Sequence, residues 1–324
     1  MKRTQLLNNI KNYAITCPGQ GIIRNGLLEE NKGYRRLFKS YLDEIDAALG
    51  CNFSAYLFHR DVGDSETRKW LQQTSNAQPA ILASTYITLK AFEKVYDVDF
   101  LKNAKFLLGH SLGEYTALTL SGILNISTAI QLVRERGVLM EEIVRQTPGA
   151  FGMIALIIRP EHVDDVIRLA ADYNVLGNVN SKYQVVISGE LEKLDAFVSM
   201  LRKVNKRMLL KAERLPVSIP FHSTMLKDIV PELRLIVEDK INTQRIPIIS
   251  NLDGQVSTEP YTIVEKTLDA NYKPVQWMKS MDTLTAAGVD TVFNLGPGKV
   301  VNAINKRYDV KCIPIDNIEQ FSVD

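Results

Sequence analysis

The sequence is poor in the residues that build metal and disulfide sites, and it lacks an apolar run of membrane length. Its three cysteines, Cys17, Cys51 and Cys312, lie far apart without metal-ligand spacing, which predicts reduced thiols and no metal site. No apolar segment approaches the roughly 20 residues that a bilayer-spanning helix needs. The net charge of +2, from 39 basic and 37 acidic residues, gives no reason to expect nucleic acid or membrane binding.

Acidic side chains are also absent from the N-terminal stretch. The first acid is Glu29, whereas Lys2, Arg3, Lys11 and Arg24 precede it. Basic stretches without acids are typical of mitochondrial import leaders, although this one is short and contains no serine. We therefore predict a location in the mitochondrial matrix, with the cytoplasm as the alternative.

Short apolar strands alternate with amphipathic helices along most of the 324 residues, which predicts an α/β fold with a parallel sheet. Between 149 and 212 the order changes to strand, helix, strand, strand, helix, strand, ending in a strand at Arg207–Leu210. This βαββαβ order predicts an inserted ferredoxin-like small subdomain. Residues 1–148 and 213–324 would then form a large, α/β-hydrolase-like subdomain.

A Gly-x-Ser-x-Gly motif provides the clearest chemical signal. The apolar strand ending at Leu108 runs into Gly109, Ser111 and Gly113, and a helix-favouring stretch follows. This is the pattern of a nucleophile elbow, in which glycines permit a tight turn and the serine hydroxyl is exposed. The backbone N–H of Leu112, at the helix start, would be free to bind an oxyanion.

A serine nucleophile needs a base, and the chain contains four histidines. His110 adjoins the serine but should point away from it, whereas His59 and His162 lie in polar, surface-like stretches. His222 lies where an apolar strand ends and a helix begins, with Ser223 as a predicted N-cap. It is the candidate base, and a packed or helix-capping histidine is the alternative.

Arg136 lies on the apolar stripe of the predicted helix 127–144, together with Met140, whereas Arg134 falls on the opposite, solvated face. A guanidinium on a buried face is costly unless it is paired. A structural salt bridge with an internal acid and a clamp for a substrate carboxylate both explain this position.

The glycine-rich segments match neither the dinucleotide-binding pattern nor the P-loop, so the sequence predicts no nucleotide cofactor. Pro18-Gly19-Gln20-Gly21 and Gly296-Pro297-Gly298 are interpreted as turns. The first of them could bring a backbone N–H beside the elbow.

Taken together, these segments resemble the malonyl-CoA:acyl carrier protein transacylase family over nearly the whole chain and in order. The matching segments are Pro18-Gly19-Gln20-Gly21, Gly109-His110-Ser111-Leu112-Gly113-Glu114, Arg134-Glu135-Arg136-Gly137, Asn180-Ser181, Gln184-Val185-Val186-Ile187-Ser188-Gly189, Pro220-Phe221-His222-Ser223, Ser250-Asn251-Leu252-Asp253-Gly254, Pro274-Val275-Gln276-Trp277 and Gly296-Pro297-Gly298-Lys299-Val300.

The resemblance implies a ping-pong transfer of a malonyl group from malonyl-CoA to the phosphopantetheine thiol of an acyl carrier protein, without a cofactor of the enzyme's own. Ser111 would be the nucleophile and His222 its base. The N–H groups of Gln20 and Leu112 would hold the oxyanion, and Arg136 would pair with the malonyl carboxylate.

The same resemblance places Phe221, Met140 and His110 with Arg136 at the substrate. Phe221 matches the malonyl-selective form of the family's specificity motif, in which a bulky ring crowds the extra methyl of methylmalonyl. Ala270 departs from the family, since many bacterial members have glutamine there. If a backbone carbonyl orients His222, alanine serves equally; if a side chain does, its partner is not identified.

Carrier proteins are acidic, so a basic docking surface is expected, and an ordinary solvated basic face is the alternative. The candidate docking residues are Lys203, Lys206, Arg207, Lys211 and Arg214. We expect a monomer. Two other functions remain open: a serine esterase or thioesterase of α/β-hydrolase type, and a non-enzymatic module that only docks a carrier protein.

Overall fold

The computed structural model describes residues 11–21, 26–58 and 70–319. His59 and half of the acid-free N-terminal stretch lie outside these ranges. The strands are β1 (Tyr13–Cys17), β2 (Phe106–Gly109), β3 (Phe151–Ile158), β4 (Leu176–Ser181), β5 (Gln184–Glu190), β6 (Leu209–Arg214), β7 (Ile248–Ile249), β8 (Val256–Ser257), β9 (Thr291–Leu295) and β10 (Lys311–Ile315).

Helices cover the strands. They are α1 (Arg35–Leu49), α2 (Thr74–Tyr96), α3 (Leu112–Leu120), α4 (Ile126–Gln146), α5 (Val163–Asp172), α6 (Leu191–Val204), α7 (Val230–Val237), α8 (Pro260–Asp269), α9 (Trp277–Ala286) and α10 (Val300–Asn305), and four short 3₁₀ helices lie at Glu29–Tyr34, Phe53–Leu57, Pro160–His162 and Thr224–Ile229. No helix among the described residues has the length and apolarity needed to cross a membrane.

The larger sheet has the order β10-β9-β1-β2-β7-β8 within the described residues. Its strands run parallel except for the short antiparallel pair β7 and β8. Because helices cover both faces, a central strand such as β1 is buried along its whole length. The carboxyl ends of β1, β2 and β7 meet at one edge, where parallel sheets usually form their sites. The predicted α/β class with a parallel sheet is confirmed.

The smaller sheet is antiparallel in the order β4-β5-β3-β6, and α5 and α6 pack against it around a separate apolar core. This is the strand order of a ferredoxin-like unit. The last strand was predicted at Arg207–Leu210, but β6 runs on to Arg214 because it pairs with β3 as far as Ile154. The predicted boundary at 212 therefore falls inside a strand.

The two sheets are joined next to the site. The backbone of Val275, just before α9, exchanges hydrogen bonds with β4: Val179 N–H donates to Val275 O at 2.8 Å, and Val275 N–H donates to Gly177 O at 2.9 Å. Tyr308 also donates its hydroxyl to the Asn180 carbonyl at 2.6 Å. These bonds tie the smaller sheet to the larger subdomain.

Ser223 does not cap an α-helix with its side chain. It precedes the 3₁₀ helix Thr224–Ile229, which continues into α7, and it makes no side-chain capping bond. Its hydroxyl is buried without a hydrogen-bond partner among the described residues. The prediction of a helix start here was right in position, but the tighter 3₁₀ turn does not bring an N–H to this hydroxyl.

Candidate active site

A sharp turn joins β2 to α3 and carries Ser111. The serine has φ 53° and ψ −112°, a backbone conformation outside the regions that residues other than glycine favour. Such a residue stores about 1–3 kcal/mol of strain, which the surrounding structure must impose. A Cβ at Gly109 would lie 1.8 Å from the Gly113 carbonyl carbon, and one at Gly113 would lie 2.2 Å from the Cys17 oxygen. Both glycines are therefore required for the chain to make this turn.

His222 lies against the serine. Its Nε2 is 2.8 Å from Ser111 Oγ, and its Nδ1 is 2.6 Å from the carbonyl oxygen of Ala270. Because a carbonyl can only accept, Nδ1 carries the hydrogen, which leaves Nε2 to accept from the serine hydroxyl. The histidine is thus oriented by a backbone group, a role for which the alanine side chain is immaterial.

The environment keeps this imidazole neutral. The pKa of His222 is lowered from 6.5 to about 3. Burial is the largest cause, and the charge of Arg136 is the next. At physiological pH the ring is therefore unprotonated, as a general base for the Ser111 hydroxyl must be.

The smaller sheet holds the loop that carries the histidine. Ser188, on β5, donates its hydroxyl to the carbonyl oxygen of Phe221 at 2.6 Å. Both Ser188 and Phe221 are buried, and His222 itself has a positive φ of 62°. The sequence shows no sign of this contact, because Ser188 and Phe221 are distant in sequence and serine is common in strands.

Arg136 is buried on α4, with 2% of its surface exposed. Its Nε donates to Asn271 Oδ1 at 2.6 Å, and its Nη1 donates to Gln78 Oε1 at 2.7 Å. The guanidinium lies over the Tyr115 ring, 5.2 Å from the ring centroid. Among the described residues it forms no salt bridge, so within this part of the chain no internal acid pairs with it.

Burial, the largest cause, lowers the pKa of Arg136, yet arginine stays charged in proteins. The site therefore holds a desolvated cation whose side-chain hydrogen bonds go to neutral amides. Such an arrangement costs free energy unless an anion joins it. This geometry suits a carboxylate ligand.

The segment Ala270–Asn271 connects the two halves of the site. The carbonyl of Ala270 accepts from His222, and the next side chain, Asn271, accepts from Arg136 and donates to the Tyr115 hydroxyl at 2.9 Å. The cation and the serine–histidine pair are thus held by adjacent residues. No sequence motif marks Asn271 or Gln78, because both lie outside the segments on which the family resemblance rests.

Close contact between α2 and α4 puts Arg136 next to Gln78. A Cβ at Gly137 would lie 2.4 Å from Ser75 Cα, so only glycine allows this approach. Arg134, expected on a solvated face, is half-buried instead and donates to the Ser75 carbonyl at 3.1 Å. The expectation was wrong because α2 covers part of this face, which helical periodicity alone does not reveal.

Backbone donors for an oxyanion lie at the start of α3 and in the loop after β1. The N–H groups of Gly113 and Glu114 bond to His110 O and Ser111 O, whereas that of Leu112 has no partner among the described residues. The loop carrying Gln20 packs on the elbow, since a Cβ at Gly19 would lie 2.6 Å from His110 O. The loop is thus close enough for the Gln20 N–H to serve the same oxyanion as the Leu112 N–H.

The other predicted substrate residues are buried nearby. His110 turns toward the smaller sheet, where its Nε2 lies 2.8 Å from Asn180 Oδ1. Met140 is buried on α4, with its sulfur 3.9 Å from Gln78 Nε2. His162 lies half-buried in the smaller subdomain, in a 3₁₀ helix that precedes α5.

The five candidate docking residues are all exposed, but two of them are paired with acids. Lys211 pairs with Glu213 at 2.5 Å, and Arg214 pairs with Asp195 at 2.5 Å. Lys203, Lys206 and Arg207 form no salt bridge within the part of the chain that the structure describes. Only these last three offer uncompensated positive charge.

Comparison with known proteins agrees with this geometry. Residues 17–307 match the acyl transferase domain family. The chain is 34% identical over 317 residues to the malonyl CoA-acyl carrier protein transacylase of Bacillus subtilis, covering 94% of each. It superposes with a TM-score of 0.81 and 28% identity on the acyl carrier protein S-malonyltransferase of Vibrio cholerae, covering 94% of this chain and 96% of that one.

A third similar structure is a malonyl-transacylase in complex with its type II PKS acyl-carrier protein. It matches with a TM-score of 0.80 and 27% identity, covering 95% of this chain and 96% of that one. The chain therefore belongs to the acyl transferase family, and its resemblance to the malonyl-CoA:acyl carrier protein transacylases is confirmed.

Proposed function

We propose that this protein transfers a malonyl group from malonyl-CoA to the phosphopantetheine thiol of an acyl carrier protein, and so supplies units for fatty acid synthesis. One observation carries the proposal: a buried arginine that forms no salt bridge with any described residue lies beside a serine–histidine pair. Ser111 and His222 supply the chemistry of acyl transfer. Arg136 favours an acyl group that carries a carboxylate, because its guanidinium can pair with that anion.

In the first half-reaction, Ser111 Oγ attacks the thioester carbonyl carbon while its proton passes to His222 Nε2. The new carbon–oxygen bond produces a tetrahedral oxyanion, which the N–H groups of Leu112 and Gln20 stabilise. The carbon–sulfur bond then breaks, and the histidine returns the proton to the departing CoA thiolate. A malonyl ester of Ser111 remains.

In the second half-reaction, the carrier's thiol gives its proton to His222 Nε2 and attacks the same carbonyl carbon. The carbon–oxygen bond to the serine breaks, and the proton returns to Ser111 Oγ. The same imidazole serves both steps, since the Ala270 carbonyl holds it in one tautomer throughout. The enzyme ends unchanged, and the carrier holds the malonyl thioester.

Arg136 would select the acyl group by charge. A malonyl carboxylate can accept from the guanidinium, whose orientation Gln78 and Asn271 fix. An acetyl group would leave the buried cation without an anion, so the site disfavours it.

The test of this proposal is the fate of the malonyl group in the wild-type protein. Incubation with malonyl-CoA should add one malonyl mass to the intact protein, and adding a holo carrier protein should move that mass to the carrier. Hydrolysis without carrier should be slow. Rapid release of free malonate would instead favour the serine hydrolase, and the absence of any adduct would favour a module that only docks the carrier.

The hydrolase is the weaker candidate. Serine hydrolases of this scaffold normally orient the histidine with an acid that follows the serine. Here the group at His222 Nδ1 is the Ala270 carbonyl, and a hydrolase would have no use for a buried Arg136.

Phe221 would discriminate against branched acyl groups. Its side chain is buried, and the residue directly precedes His222 in the chain. We expect Phe221→Ser to raise the acylation rate with methylmalonyl-CoA about ten-fold or more relative to malonyl-CoA, because the space for one methyl group is worth about 1–3 kcal/mol. Competition between the two thioesters, read as the two adduct masses, measures this ratio. An unchanged ratio in a folded variant would remove Phe221 from the specificity site.

Carrier docking is assigned to the unpaired basic residues of the smaller subdomain. The double variant Lys203→Glu/Lys206→Glu should raise the KM for the carrier about ten-fold, with the KM for malonyl-CoA unchanged, since surface charge mainly steers association. The matched control is Lys102→Glu/Lys240→Glu, two exposed lysines of the larger subdomain that form no salt bridge among the described residues. Equal effects of both changes, or an effect that salt does not weaken, would contradict docking there.

The mitochondrial location and the monomeric state stay predictions. The location depends on the acid-free residues 1–28.

A further inference from the structure

We infer that Asn251 is a positioning residue for the nucleophile, held in place by the buried carboxyl group of Glu114. The inference depends on the proposed acyl transfer, because it concerns how Ser111 is kept reactive. Neither residue belongs to the catalytic pair or to the arginine site. Both are buried at the turn that carries the serine.

The Asn251 side chain bonds to the backbone on both sides of His110. Its Oδ1 accepts from the Ser111 N–H at 2.8 Å, and its Nδ2 donates to the Gly109 carbonyl. For neither of these two groups does the structure show a backbone partner among the described residues. The N–H groups of His110, Gly113 and Glu114 bond to Cys17 O, His110 O and Ser111 O, and that of Leu112 alone stays free among the described residues of this turn. The amide therefore completes the hydrogen bonding of the turn, as a further peptide group would.

Asn251 is itself fixed from two directions. Its N–H donates to Glu114 Oε1 at 2.8 Å, and its carbonyl accepts from Gln276 N–H at 2.7 Å. The strand β7 ends two residues earlier, beside β2, so the sheet brings Asn251 to the elbow. Glu114 lies in the first turn of α3, the helix that begins just after Ser111.

These bonds form a closed ring from Glu114 through Asn251 to the Ser111 backbone and back along α3. The ring holds Ser111 at its positive φ, a conformation that the residue would not keep unaided. That conformation directs Oγ to His222 and leaves the Leu112 N–H free. Loss of the ring should let the turn relax and carry both groups out of alignment.

The carboxyl group of Glu114 suits this role without carrying a charge. Burial raises the pKa of Glu114 to about 8, so the protonated, neutral form predominates at neutral pH. A neutral acid still accepts from Asn251 N–H through its carbonyl oxygen. Glutamine has the same shape and acceptor, whereas methionine has the same length and no acceptor of comparable strength.

The experiment measures the reactivity of Ser111 by two independent routes. One is the rate of malonyl adduct formation from malonyl-CoA, and the other is the rate of labelling by a fluorophosphonate, which reacts with activated serines. Asn251→Ala should slow both about a hundred-fold, with the apparent KM for malonyl-CoA changed less than three-fold, because the Arg136 site is untouched. Glu114→Met should slow both about ten-fold, and Glu114→Gln should recover most of that loss.

The control is Asn305→Ala. Asn305 is another fully buried amide, with side-chain hydrogen bonds to Thr16, Asn294 and Trp277 and none to the elbow. It should lose thermal stability without loss of labelling rate. The inference is overturned if folded Asn251→Ala labels at the wild-type rate, if Asn305→Ala slows labelling equally, or if Glu114→Gln is as slow as Glu114→Met.

Failure of the inference differs from failure of the proposed function. If the wild-type protein takes fluorophosphonate but no malonyl group, the acyl donor is wrong, and the labelling rates still test the ring. If the malonyl adduct forms normally in both Asn251→Ala and Glu114→Met, the ring is dispensable and the transfer still stands.

Discussion

Replacing Ser111 by alanine should abolish the malonyl adduct and lower transfer to the carrier on the order of 10⁴-fold or more, as loss of a nucleophile does in serine enzymes. The reason is chemical. Ser111 Oγ lies 2.8 Å from His222 Nε2, and no other nucleophile among the described residues hydrogen-bonds to that nitrogen. Intact-mass measurement after incubation with malonyl-CoA tests this directly. His222→Ala should give a loss of similar size, because the two residues act as a unit.

The control for this prediction is Ser121→Ala, at the other end of α3. Ser121 is fully buried and donates its hydroxyl to the Leu118 carbonyl, remote from His222. It should keep the adduct and the transfer rate, whatever its effect on the unfolding temperature. A full malonyl adduct on Ser111→Ala would place the nucleophile elsewhere and refute the mechanism.

The elbow was predictable because its chemistry is local. Gly109, Ser111 and Gly113 are close in sequence, and a strand, a turn and a helix follow each other there in the order that the motif requires. The glycines are explained by atoms of neighbouring backbone, as the distances from Gly113 to Cys17 show. A short motif therefore specified the geometry of the turn and the serine that it carries.

The partners of Arg136 were not predictable in this way. Periodicity placed Arg136 on a buried face, but it could not choose between an internal acid and a ligand. The deciding groups, Gln78 and Asn271, lie 58 and 135 residues away. Amides of this kind look like ordinary polar residues in a sequence, and only tertiary packing shows that they meet the guanidinium.

Asn251 illustrates the same limit. It belongs to a segment that the family resemblance picked out, yet that segment pointed to no role for Asn251. Its contact with Ser111 spans 140 residues and depends on β7 pairing with β2. A side chain that completes the hydrogen bonding of a distant backbone leaves no periodic or local trace in the sequence.

Electrostatics link the two ends of the site. The charge of Arg136 is one cause of the lowered pKa of His222, after burial. A malonyl carboxylate paired with the arginine would offset that charge and raise the basicity of the imidazole. Binding of the correct acyl group would thus strengthen the base that activates Ser111, which an acetyl group could not do.

Arg136→Ala should lower the acylation rate with malonyl-CoA about 100- to 10,000-fold while leaving that with acetyl-CoA unchanged or raised. A carboxylate loses two charge-assisted hydrogen bonds, each worth about 1.5–3 kcal/mol, and tenfold in rate corresponds to about 1.4 kcal/mol. An acetyl group loses nothing, because it never bonded to the guanidinium. The measurement is the rate of adduct formation with each thioester.

Two comparisons separate selection from a structural effect. Arg134→Ala removes a cation one half-turn away that bonds to the Ser75 carbonyl, and it should change neither rate. Arg136→Ala also leaves the oxygens of Gln78 and Asn271 without their donor, which lowers stability whichever thioester is present. A fall of equal size with malonyl- and acetyl-CoA would therefore identify a packing role. A fall confined to malonyl-CoA would identify Arg136 as the group that recognises the carboxylate.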